Sequence, residues 1–167
     1  TSPNPTIEDN KTSNGSGVGS YTSDMTNLEQ NTTYYVRAYA TNEVGTAYGE
    51  EVTFTTLEKL LPTVTTTEVR GIACCTAVSG GEVTFDGNVT VTARGICWGT
   101  SPNPTIEDNK TIDGTGVGIF TSQIPNLVHN TQYYVRAYAT NEVGTVYGEE
   151  VIFTTLLDPA NGHEYVD

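Results

Sequence analysis

Gln132-Tyr133-Tyr134-Val135-Arg136-Ala137-Tyr138-Ala139-Thr140-Asn141 puts Tyr133, Val135, Ala137 and Ala139 on one side of an extended chain and Tyr134, Arg136, Tyr138 and Thr140 on the other. Successive side chains of a strand point to opposite faces, so the small apolar set predicts a core face and the other set an outward one. Downstream, Val151 and Phe153 continue the inward set, while Glu150, Ile152 and Thr154 face outward. Asn141-Glu142-Val143-Gly144-Thr145 between the two runs has the length and composition of a hairpin loop.

The same pattern occurs twice. Tyr34-Tyr35-Val36-Arg37-Ala38-Tyr39-Ala40-Thr41-Asn42 returns as Tyr133-Tyr134-Val135-Arg136-Ala137-Tyr138-Ala139-Thr140-Asn141, and residues 1–57 as a whole return, mostly unchanged, as 100–156. A period of roughly 100 residues exceeds the 20–50 of solenoids, so each copy is a domain. Residues 62–99, which precede the second copy, have no counterpart before Thr1. The expected organisation is a truncated module at 1–57, a linker at 58–62, a complete module at 63–156, and a second linker leading into a following domain at 157–167. The chain reads as an excerpt of a longer protein.

Thr, Val and Tyr dominate, Gly and Asn punctuate, and no segment sustains a helical apolar period. The fold class is all-β. In the complete module strands are expected at 63–69, 74–85, 91–98, 118–122, 132–141 and 145–155, with residues 100–116 as a loop with room for one short edge strand. About seven short strands with regular turn signals predict two packed antiparallel sheets. The covering strands at 63–98 are expected to complete the second copy rather than the first, because closing the shorter loop costs less entropy. The inner face of residues 1–57, bearing Tyr34, Val36, Val52 and Phe54, should then stay unfilled and invite strand exchange.

Twenty acidic residues against seven basic ones give a formal charge of −13. That charge argues against nucleic acid and anionic membranes as partners. No run of 18 apolar residues exists for a membrane-spanning helix. Cys74, Cys75 and Cys97 are the three cysteines. Free thiols are one reading and a Cys75–Cys97 bridge the other; on a strand, Cys74 and Cys75 would point to opposite faces.

The search for chemistry yields little. Gly114-Thr115-Gly116-Val117-Gly118, like Gly15-Ser16-Gly17-Val18-Gly19, has the glycine density of a phosphate loop without a helix or a Lys-Ser/Thr pair after it, and reads as a flexible turn. His129 and His163 are the only histidines, and His129 is Gln30 in the other copy, so no catalytic set is expected. Glu107, Asp108 and Asp113 fail the alternating spacing of a calcium loop and read as solvated charge. No cofactor or metal is implied. The best candidate surface is an aromatic stripe of Tyr134, Arg136 and Tyr138 with Trp98 on the neighbouring strand, able to stack on sugar rings or a partner protein, or simply to cover itself.

Leu127, Thr131 and Tyr133, followed by the alternating run through Gly144, resemble the corner and strand of fibronectin type III domains; His129 stands where that family prefers Pro. The first copy repeats the pattern with Leu28, Gln30, Thr32 and Tyr34. The resemblance implies a fibronectin type III-like sandwich in which Tyr34 and Tyr133 are tyrosine-corner residues, each ring in the core and each hydroxyl on nearby backbone. Val91-Thr92-Ala93-Arg94-Gly95-Ile96-Cys97-Trp98-Gly99-Thr100-Ser101-Pro102-Asn103-Pro104-Thr105 is similar to tandem repeats of Bacteroidetes surface proteins, and Gly162-His163-Glu164-Tyr165-Val166-Asp167 resembles the opening of a Fibrobacter succinogenes major paralogous domain. These resemblances imply an extracellular, cell-surface location and a non-catalytic spacer role. Adhesion to a glycan or host protein and service as an accessory domain of a secreted hydrolase are the alternatives.

Overall fold

In the computed structural model, which describes residues 1–158, the chain divides into two compact units, Thr1–Glu58 and a second that begins at Lys59. The expected linker end, the start of a following domain and the Gly162-His163-Glu164 motif lie outside the described residues.

The second unit is an antiparallel sandwich, without helix among the described residues. One sheet runs β5 (Thr63–Thr66), β6 (Ala77–Phe85), β9 (Gly118–Ile124). The other is centred on β10 (Gln132–Thr140), which pairs with β7 (Ala93–Gly99) on one side and with β11 (Thr145–Tyr147) and β12 (Val151–Thr154) on the other. A two-residue strand, β8 (Asn109–Lys110), edges β7. This strand order is that of a fibronectin type III-like sandwich. Residues 63–98 complete the second unit, through β6 on β9 and β7 on β10.

Tyr133, Val135, Ala137 and Ala139 are all buried, with Phe153 cross-strand from Tyr133. Val83, Ile96, Phe120, Ile124 and Leu127 close the core from the other elements. The sheets approach closely at Gly81, where an added Cβ would lie 2.5 Å from the Thr65 carbonyl oxygen and 2.7 Å from the Ala137 Cβ. Only glycine leaves room there for β6 to face β10.

The predicted last strand is broken in two. Tyr138 pairs with Tyr147 but Tyr133 with Phe153, a register shift of one residue centred on 148–150. This is a β-bulge, built on Gly148, whose missing Cβ leaves space for Thr66 on β5. Arg136 Nε donates to the Gly148 carbonyl at 3.1 Å and the Thr66 hydroxyl accepts the Ala137 N–H at 2.9 Å, so backbone groups freed by the bulge find side-chain partners. Strand β5 also stops earlier than expected, at Thr66; beyond it the chain keeps to β6 through the Thr67 N–H on the Gly80 carbonyl at 3.1 Å and the Arg70–Val78 bridge. Cys74 and Cys75 lie before β6, in a bend rather than a strand.

The first unit repeats half of this architecture. Strands β1 (Thr33–Val36) and β4 (Val52–Thr55) form one ladder, β2 (Tyr39–Thr41) and β3 (Thr46–Tyr48) another. The bulge recurs, with Arg37 Nε on the Gly49 carbonyl at 3.1 Å. What was one nine-residue strand in β10 is here two short ones, because no strand corresponding to β7 flanks it and no threonine corresponding to Thr66 meets Ala38. No strand matches β9, whose sole partner is β6. The inner face is uncovered: Tyr21 is 53% exposed where Phe120 is 6%, and Val52 is 62% exposed. Tyr34, Val36 and Phe54 are half-buried where Tyr133, Val135 and Phe153 are buried.

Placing a second copy of residues 59–99 in front of Thr1 is expected to convert the first unit into a sandwich like the second. Hydrogen exchange at Tyr34, Tyr35 and Val36 should slow by on the order of 100-fold or more, since full burial of each large apolar side chain adds about 1.5–3 kcal/mol; unchanged exchange would mean that these residues need some other cover.

Candidate functional site

The outer face of the β7–β10–β12 sheet is where the sequence places its candidate surface, and residues 100–113 decide what remains of it. This excursion folds back over the sheet. The Tyr147 hydroxyl accepts the Ile106 N–H at 3.1 Å, the Glu150 carboxylate takes the Asn103 N–H, and Tyr138 donates its hydroxyl to the Thr111 carbonyl at 2.7 Å. Lys110 Nζ closes the loop on the Ile106 carbonyl at 2.6 Å. Burial raises the Tyr138 phenol above its ordinary pKa, with the Asp113 carboxylate adding to the effect.

The aromatic stripe is therefore corrected in two places. Trp98 is cross-strand from Val135, on the inner face, and is 8% exposed as part of the core. It is Cys97, cross-strand from Arg136, that shares the outer side. Tyr138 does face outward but lies at 3% exposure beneath the excursion. Arg136 is half-buried, its guanidinium 4.7 Å above the Tyr147 ring. Of the three aromatic rings only that of Tyr134 is not buried: it is half-buried, its hydroxyl held by Gln132 Nε2 at 2.8 Å, beside Ile152, which is 56% exposed. One accessible ring beside an isoleucine is a small contact area, not a stacking platform.

The corner tyrosines are held as a pair of equivalent structures. The Tyr133 hydroxyl accepts the Val128 N–H at 3.0 Å and its ring stacks on Phe153 at 5.7 Å; the Tyr34 hydroxyl accepts the Glu29 N–H at 2.9 Å and its ring stacks on Phe54 at 5.8 Å. Stacking of this kind adds about 0.5–1.5 kcal/mol beyond area burial.

The glycine-rich turn at 114–118 has the opposite polarity to an anion site. Arg94 reaches across the sandwich mouth, its guanidinium 5.5 Å from the Phe120 ring, and one terminal nitrogen donates to the carbonyls of Gly116, Val117 and Gly118 at 3.1, 2.8 and 3.2 Å. A phosphate cradle presents N–H groups; this turn presents carbonyl oxygens to a cation that the chain itself supplies. The expected flexible turn is in this respect a tether between the two sheets. The first unit has no residue corresponding to Arg94, and there Val18 is fully exposed.

The acidic residues of the excursion serve local turns. Asp108 accepts the Thr105 N–H at 2.8 Å, as Asp9 accepts that of Thr6 at 2.9 Å. Asp113 takes hydroxyl protons from Thr111, at 2.6 Å, and from the buried Ser122. Thr111 Oγ1 in turn accepts the Ile96 N–H at 3.0 Å, so the group ties the excursion to both sheets. Among the described residues no three His, Cys, Asp or Glu side chains gather as metal ligands. Cys97 is buried, its thiol donating to the Pro104 carbonyl at 3.2 Å, and it does not meet Cys75. Burial, partly offset by Arg136, pushes the Cys97 thiol up to about 11.

The Arg94 tether, the bulge cap by Arg136 and the backbone anchoring of the excursion are the contributors that sequence reading misses. For the last two, recurrence of the Arg-Ala-Tyr and Tyr-Gly-Glu-Glu runs in both copies was the available signal.

No protein-family model matches the chain, and no curated protein matches it. Among solved structures, it is similar to the sensor domain of the anti-sigma factor RsgI4 from Pseudobacteroides cellulosolvens, at 15% identity over 58% of this chain and 96% of that one, TM-score 0.45. It is also similar to the sixth fibronectin type III domain of human fibronectin type III domain containing protein 3, at 23% identity over 60% and 92%, TM-score 0.46. A third likeness is to the FN1–FN3 domains of chicken CNTN1, at 18% identity over 78% and 45%, TM-score 0.42. At such identities these are likenesses of fold.

Replacing Arg94 by Met should cost the second unit about 1.5–3 kcal/mol, the range for hydrogen bonds to a charged group. A lowered urea midpoint and protease cleavage at 115–117 would show the loss, and an unchanged midpoint would deny the tether. Cys97 gives a pH test. The unfolded thiol, near 9, loses its proton before the folded one, near 11, so stability is full below 9 and declines as pH rises toward 11. Cys97→Ala should flatten that decline in urea midpoints measured on both sides of this window.

Proposed function

We propose that this chain is a non-catalytic spacer from a repeat-containing bacterial cell-surface protein, working outside the cell to hold another domain away from its anchor. The observation that carries this reading is where the chain enters and leaves the second unit. The incoming chain is fixed beside the far end of β10: the Leu60 N–H bonds the Gly87 carbonyl at 2.8 Å, Asn141 Nδ2 bonds the carbonyls of Leu60 and Asp86 at 2.7 and 2.9 Å, and Lys59 pairs with Glu142. The outgoing chain is fixed beside the near end: the Leu156 N–H bonds the Ala73 carbonyl at 3.1 Å, and the Leu156 carbonyl accepts from Asn130, also at 3.1 Å.

Between these poles lies the length of β10, nine residues, or about 27 Å at the rise of an antiparallel strand. A unit with its two connections at opposite ends adds its length to an array, whereas one with adjacent connections adds a side branch. The repeated sequence, the acidic surface that keeps neighbouring arrays apart, and the resemblance of residues 91–105 to Bacteroidetes surface repeats support the same reading.

Pulling on both ends is expected to load the clamps at the two poles before it reaches the core. In single-molecule stretching, the second unit should open in one event that releases roughly 300 Å of chain, from about 98 residues at extended spacing less the folded length. Asn141→Ala should lower the force of that event. Extension without a discrete event, or a variant as strong as the parent, would remove the support for a load-bearing spacer.

A further inference from the structure

Cys74 and Cys75 place their sulfur atoms 3.0 Å apart in the bend that precedes β6. The bend is anchored on three sides. Ala73 donates its N–H to the Thr76 carbonyl at 2.9 Å, the Ala73 carbonyl accepts from Leu156 at 3.1 Å, and the Cys75 carbonyl accepts from Leu127 at 2.9 Å. These bonds hold the backbone on either side of the pair to the outgoing chain and to the turn that feeds β10. Cys75 is exposed and Cys74 half-buried, while the third thiol, Cys97, is buried at a separate place against Pro104. A strand would have sent the two adjacent side chains to opposite faces; the bend brings them together.

We propose that Cys74 and Cys75 form a vicinal disulfide by exchange with a low-molecular-weight disulfide. The Cys75 thiolate attacks one sulfur of the small disulfide and expels the first small thiolate, leaving a mixed disulfide on Cys75. The Cys74 thiolate then attacks the Cys75 sulfur, expelling the second small thiolate and closing an eight-membered ring. The two protein thiol protons end on the two small thiols, so two protein thiols and one small disulfide become one protein disulfide and two small thiols. The sulfur atoms need to close by about 1 Å to reach bonding distance. The hydrogen bond shared with Cys74, together with some desolvation, holds the Cys75 thiol above its ordinary pKa, so the exchange runs faster as pH rises. Once closed, the ring leaves neither thiol free to cross-link neighbouring chains.

The test uses the full chain equilibrated with reduced and oxidised glutathione at a series of ratios, native and in urea, with free thiols trapped by N-ethylmaleimide and the products mapped by mass spectrometry. The expected native product is about 2 Da lighter than the reduced chain, with the bond on the one peptide that holds Cys74 and Cys75 and with Cys97 trapped only after unfolding. The native chain should reach half-oxidation at an oxidant ratio on the order of tenfold lower than the urea-unfolded chain, if the bend pre-positions the sulfurs. Cys97→Ala should leave the product unchanged, and Cys74→Ser should stop at the glutathione adduct on Cys75. Stable adducts on both wild-type cysteines, a bond from either to Cys97, or equal oxidation of native and unfolded chains would each overturn the proposal.

Discussion

Burial of one side of β10 is the constraint on which the sandwich depends. Tyr133, Val135, Ala137 and Ala139 have to leave water together, and the chain contains its own control, because the same residue types occur in the first unit without their cover. Where β6 and β9 oppose that face, the strand runs unbroken for nine residues with β7 on its flank. Where they are missing, the equivalent residues form strands of four and three. Strand length here follows from tertiary cover rather than from propensity, since the propensities of the two copies are almost the same. Gly81 in the opposing sheet and Gly148 beside β10 show the same dependence, each giving up a side chain so that the other sheet can come within reach.

The outer face obeys a different rule. Its bonds join residues 103–111 to residues 138–150, all within the repeated block, and they recur almost distance for distance in the first unit: Ile7 on the Tyr48 hydroxyl at 3.1 Å, Tyr39 on the Thr12 carbonyl at 2.7 Å, Arg37 over Tyr48 at 4.8 Å. Half of the module is thus self-sufficient in its polar contacts and the other half is not. Polar anchoring sets the path of the excursion, and apolar burial sets whether the module has a core.

This division also explains how much of the fold was legible in the sequence. The alternation of Tyr133 to Ala139 gave the inner face because period two is a local property of the chain, and the repeat exposed the module length directly. The face of Trp98 was hidden because it depends on the register of β7 against β10, and nothing within 91–98 fixes a pairing with residues some 40 positions away. The fate of Tyr138 was hidden for a related reason: a proline-containing stretch reads as loop, and loop composition does not say what the loop covers. Arg94 resembles any exposed cation in sequence, and only the fold brings Gly116, Val117 and Gly118 around it with their carbonyls inward. Cys74 and Cys75 were misplaced by carrying strand periodicity three residues too far, into a bend where it does not hold. The candidate surface suffered more than the fold because it required two registers and one loop path to be right at once.

The polar self-sufficiency of the outer face has a consequence for how far a substitution is felt. The bonds of the excursion begin and end within one repeated block, as with Ile106 on the Tyr147 hydroxyl and Thr105 on Asp108, so a change there stays local to that block. A change at Gly81 or Ala137, where the two sheets meet, reaches both of them at once.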